Sequence, residues 1–221
     1  MQAPTYVATT SSVVELVPVI SLGLEGSDIP PLPTEFSDDS LARWRLARRK
    51  AVGLDPDRPL DGDIALDEIL TDRLLDAVVD YVVSCGAEYG WSPYLDGGFA
   101  LVVDGQVFSR PTCCVDLQEG VRDWLQLAES WPADWRPVES GHPGVLARVR
   151  LGRVEVSEQA DDFPDDITAA VSLPTEQLRA AAQVGLREVH AFAERLERRF
   201  VERGVEPAGQ LARVVAGLAD E

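Results

Sequence analysis

The stretch Arg110-Pro-Thr-Cys-Cys-Val-Asp-Leu117 sets two thiols side by side, two residues ahead of a carboxylate, and His142 follows downstream. A thiolate, a nearby base and an orienting carboxylate are the parts of a nucleophilic cysteine site, so Cys113 or Cys114, Asp116 and His142 form one candidate set for a small enzyme or metal-binding protein. Side chains alternate along an extended segment, which turns Cys113 and Cys114 to opposite faces and disfavours a joint metal clamp or an ordinary disulfide between them. The CxxC and HxxxH spacings of zinc sites are missing. Asp116 is better suited to accept from the open amides of a helix that starts at Leu117. No metal and no cofactor is expected. The marks of phosphate cradles, dinucleotide folds, serine esterases and zinc proteases are absent too, so an enzyme is the weaker expectation.

Carboxylates make the stronger pattern. Glu68, Asp72, Asp76 and Asp80 recur every four residues, which on one helix would form a single anionic stripe. Three like-charge neighbours at that spacing cost on the order of 1 kcal/mol together, so the stripe calls for a cationic partner, internal or external. Internal candidates are Arg45, Arg48 and Arg49. A second cluster, Asp161-Asp162-Phe163-Pro164-Asp165-Asp166, places an aromatic ring among four carboxylates in an expected loop.

These clusters sit in a chain with 20 Lys and Arg against 38 Asp and Glu, a formal net charge of −18 and a pI near 4.4. Such a field repels nucleic acid and anionic membrane, so neither is expected as a partner. A basic protein is the expected partner, with Glu68, Asp72, Asp76, Asp80, Asp161, Asp162, Asp165 and Asp166 as the contact set. Acidic groups would steer the encounter and aromatic anchors would supply dry contact area. Three cysteines, two of them adjacent, do not read as a secreted disulfide framework. The first apolar stretch, VVELVPVISLGL, is broken by Glu15 and Pro18 and has no basic residue before it, so it reads as neither a signal peptide nor a span. The cytoplasm is the expected location; composition leaves the oligomeric state open.

The elements that must position these residues read as α+β. Residues 1–36, rich in Thr, Ser and Pro, are expected to be irregular or extended, with one strand over 13–20, and residues 37–221 to form a single domain. A basic helix follows Ser40 and stops at Gly53. Leu66, Leu70, Leu74 and Val78 predict a helix over 65–87, opposite the acidic stripe, with Asp63 as its cap. Asp104-Gly105 predicts a hairpin over 98–109, and Leu151-Gly152 a second over 145–157. The longest helix is expected over 175–203, with Leu178, Ala182, Val189, Phe192, Leu196 and Phe200 inward, and a last short helix from Pro207. A small antiparallel sheet built from the two hairpins and covered by the long helices is the architecture this order favours.

The runs GGFALVVDG, RPTCCVDLQEGVRDW and SGHPGVLARVRLGRVEVSE, within residues 97–158, resemble a pattern of uncharacterised bacterial proteins: Pro-x-Cys-Cys-x-Asp-Leu, a downstream Trp, then Gly-His-Pro and a hairpin. Gly144 stands where that pattern carries an aromatic. The resemblance implies a small accessory protein of toxin-immunity or defence neighbourhoods. In that setting the basic partner would be a toxin, blocked in the manner of an immunity protein or antitoxin.

Overall fold

The protein is described here from a computed structural model covering residues 5–22, 37–58, 60, 63–89, 95–111, 115–139 and 141–218. The Pro-rich run 29–33 lies outside the described residues. Two sheets form rather than one. The first has the order β3-β2-β4-β5, from β2 (Val14–Ile20), β3 (Ile64–Ala65), β4 (Gly97–Val103) and β5 (Gln106–Ser109), all antiparallel. The second has the order β1-β9-β8-β7-β6, from β1 (Tyr6–Val7), β6 (Arg136–Pro137), β7 (Leu146–Arg150), β8 (Arg153–Ser157) and β9 (Ala169–Pro174). Only β1 runs parallel to its neighbour, β9.

Both expected hairpins are present, one in each sheet. At Asp104-Gly105 and Leu151-Gly152 all four residues have positive φ, between 51° and 79°, the backbone that a two-residue turn needs to match strand twist. Each hairpin recruits a different neighbour. The expected strand at 13–20 is β2, and it pairs with β4 along its whole length. Its only proline, Pro18, lies where β3 has not yet begun to pair, so the missing N–H opens no gap in a ladder.

Every residue of β4 is buried. Phe99, Leu101 and Val103 face the main core with Leu16 and Ile20 of β2; Ala100 and Val102 face a smaller cluster with Val17, Val19 and Leu60. Period-two alternation thus feeds two apolar layers from the same strands. Five α-helices are described. α1 (Asp38–Ala51) is capped by Ser37, whose Oγ accepts from Ser40 N while Ser40 Oγ accepts from Ser37 N. α4 (Thr175–Glu202) crosses β2 with all six expected apolar residues inward. α5 (Ala208–Val215) folds back on α4, and α3 (Leu117–Glu129) packs on β4 and α4.

The expected helix over 65–87 starts later. Residues 64–68 form β3 and a 3₁₀ turn (Leu66–Glu68), and α2 spans Asp72–Tyr89 with Thr71 capping through Oγ1 to Leu74 N. The cause is Glu68: its Oε2 accepts from Ala65 N and its Oε1 from Arg49, which pins the turn before a helix can begin. Leu70, expected on the apolar face, is left 68% exposed, while Leu74, Val78 and Val82 are buried. No helix among the described residues is long and apolar enough to cross a membrane.

Candidate functional site

The acidic residues fall into two groups that differ in what holds them. Because the chain breaks between Glu68 and Asp72, Glu68 is not on α2, and the four-residue spacing does not make one helical stripe. Arg49, 3% exposed, donates to Glu68 at 2.6 Å and to the carbonyls of Asp55 and Asp63, so this pair is a buried tie between α1 and the 3₁₀ turn. Asp76 receives Arg199 at both oxygens, at 2.9 and 2.6 Å, and Arg203 at 2.5 Å; Arg203 also donates to Asp80 at 2.7 Å. The hydrogen bond from Arg199, with a further one from Arg203, holds the Asp76 carboxyl below the usual carboxylate range. The ridge is therefore not a free anionic stripe. The chain's own arginines occupy Glu68, Asp76 and Asp80; the exposed carboxylate of Asp72 makes no hydrogen bond among the described residues and feels Arg199 only through its charge. Of the arginines expected to lie across the ridge, Arg49 holds Glu68; the partners of Asp76 and Asp80 come instead from α4, which supplies Arg199, and from its C-cap, Arg203.

The second cluster is built differently. Between β8 and β9, the loop is pinned at Gly144 and Ala160, which exchange backbone hydrogen bonds of 2.9 and 3.0 Å. The Phe163 ring lies over Gly144, where an added Cβ would sit 3.3 Å from the ring. An aromatic from the loop thus occupies the space next to Gly-His-Pro that a side chain at 144 would fill. With Phe163 turned inward, Asp161, Asp162, Asp165 and Asp166 are all exposed, and so is Glu158 before them. Among the described residues, none of these five carboxylates takes part in a hydrogen bond or ion pair. Beside them lies a cleft of about 110 Å³ whose lining includes Ala160, Phe163, Pro164, Ile167, Ala169 and Ala170 together with the polar Ser157, Glu158, Gln159 and Thr168.

The alternative cysteine set is less well served. Cys113 and Cys114 lie outside the described residues. Asp116 Oδ1 accepts from Glu119 N at 2.8 Å and caps α3, which is what its place before Leu117 favours. His142 is exposed. Among the described residues, no group of three or more His, Cys, Asp or Glu is placed to hold a metal ion.

Sequence reasoning missed Glu139, a carboxylate 4% exposed that accepts from the Trp124 indole N–H at 2.9 Å and lies close to Gly98 and Gly120. It also missed Asp96, whose carboxyl is pushed up by burial and by the neighbouring Asp116 charge. Neither carries a spacing signal. Trp131 donates to Ala147 O and packs on the core, and Arg148 lies over the Trp135 ring at 4.4 Å, so all three tryptophans of 124–135 are engaged within the chain.

Together these features define an α+β protein in which Glu68, Asp76 and Asp80 are tied to arginines and five exposed carboxylates lie close together on one loop. No family model, curated protein or solved structure matches the chain, so the arrangement stands on its own residues.

Proposed function

We propose that this protein acts by binding a basic partner protein and blocking it, in the manner of an immunity protein or antitoxin. The observation that supports this reading most directly is the contrast between the two acidic groups. Glu68, Asp76 and Asp80 are held by arginines; five exposed carboxylates within residues 158–166 have no hydrogen-bond or ion-pair partner among the described residues. Unpaired like charges in one short loop repel each other and add nothing to stability, whereas they speed encounter with a cationic surface. The contact set is accordingly centred on Asp161, Asp162, Asp165 and Asp166, with Asp72 as the member of the ridge whose carboxylate is not hydrogen-bonded to an arginine.

The test is capture from cells that make the protein, with wild-type chain and with a variant carrying Asp161→Asn, Asp162→Asn, Asp165→Asn and Asp166→Asn. The reading expects a basic protein whose activity falls on binding wild type and whose association slows severalfold or more for the variant at low salt. Equal association of wild type and variant with that partner, or retention of no basic protein, would overturn it.

A further inference from the structure

We infer that the cleft beside the acidic loop receives an extended segment of the partner, an aliphatic side chain flanked by Lys or Arg. This rests on the binding function proposed above and names the chemistry that the loop recognises. Three features meet there. The cleft wall is mainly apolar, from Ala160, Phe163, Pro164, Ile167, Ala169 and Ala170, with Ser157, Glu158, Gln159 and Thr168 supplying polar groups, and its volume of about 110 Å³ is the size of one branched aliphatic group; an apolar cavity of ~150 Å³ holds a benzene. The rim carries Glu158, Asp161, Asp162, Asp165 and Asp166, whose carboxylates have no partner among the described residues.

The third feature is the backbone. Residues 161–167 make no backbone hydrogen bond to other segments among the described residues, and the β8–β9 register shifts between Val156 and Ser157, so that Ala170 has no partner residue on β8. The Ala169 carbonyl accepts from Thr5 Oγ1, but the main-chain groups of 161–167 beside a mainly apolar slot suit an extended segment, which brings its own N–H and C=O groups and alternates side chains between slot and rim. Charge complementarity sets the rest. Five carboxylates exclude an acidic segment, and no trio of them converges on a metal position. A slot residue with basic neighbours satisfies wall and rim together.

The probe is a pair of capped synthetic peptides, Arg-Arg-Leu-Arg-Arg and its Leu→Gly counterpart, titrated into the full chain and followed by calorimetry and by backbone amide shifts. The Leu peptide is expected to shift signals of residues 157–170 and to bind roughly tenfold more tightly than the Gly peptide, the scale of burying one aliphatic side chain. Filling the cleft with Ala170→Trp should erase that preference and keep the charge-driven part. Because the peptide arm alters nothing in the protein, it stands even where Ala170→Trp fails to fold. Equal affinity of the two peptides, or shifts lying elsewhere, would overturn the cleft assignment and leave the binding function standing on the capture experiment. Loss of peptide binding together with failure of that capture would overturn both.

Discussion

Gly185 sits in the interior of α4, where glycine ordinarily costs ~1 kcal/mol against alanine. Its neighbours explain it: a Cβ there would lie 2.6 Å from the Leu16 carbonyl oxygen and 2.7 Å from Phe99 Cε1. A strand backbone cannot swing aside, so Gly185→Ala should lower stability by ~1–3 kcal/mol despite better helix propensity. The measurement is the urea midpoint at constant slope; an unchanged or higher midpoint would show that helix and sheet can separate without loss. Legibility at this scale follows range in sequence. Asp116 could be read as a cap because its partner, Glu119 N, is three residues away. Glu139 could not be read as buried, because Trp124 is fifteen residues off and the close pass of Gly120 over Gly98 is a tertiary event.

Among elements, the two hairpins, α3 and α4 were readable because turn chemistry and apolar period are local properties. The start of α2 was not, since Arg49 from α1 reorganises Glu68 and turns a continuous-looking apolar face into a strand, a turn and a helix. Nor did the sequence say that α2 and α4 are clamped by Asp76 between Arg199 and Arg203. That clamp has a pH signature. A carboxyl held below its unfolded pKa of ~3.9 contributes stability that is fully present above that value and is lost as pH falls through the lower, folded one. Asp76→Asn should therefore cost ~1 kcal/mol at neutral pH, the scale of partly exposed pairs, and the difference should shrink below ~pH 4. Asp96 has the opposite sign, because burial and Asp116 raise its carboxyl. Its charged form opposes folding above the raised value and is relieved as pH falls, so Asp96→Asn should raise the neutral-pH urea midpoint and converge on wild type in acid. Two Asn variants moving the midpoint in the same direction at neutral pH would refute this assignment of one clamp and one strained carboxylate.

For the whole molecule, composition stated the charge of −18 but not which carboxylates are free, because the arginines that hold Glu68, Asp76 and Asp80 come from α1, α4 and its C-cap, far in sequence from those acids. The distinction is measurable without any partner. Replacing Asp161, Asp162, Asp165 and Asp166 by Asn removes four negative charges and takes the chain from −18 to −14. Since none of the four is tied to an arginine, their removal sacrifices no attraction and relieves repulsion within the loop and with the rest of an acidic surface. The variant should melt at the same temperature as wild type or a few degrees higher at low salt, and the two should coincide at ~1 M salt, where the Debye length is ~3 Å. Asp76→Asn, which removes one charge of the same sign, should melt lower under the same low-salt conditions. If the loop variant instead melted lower at low salt, those carboxylates would be holding the fold together, and their exposure would no longer mark them as free for a partner.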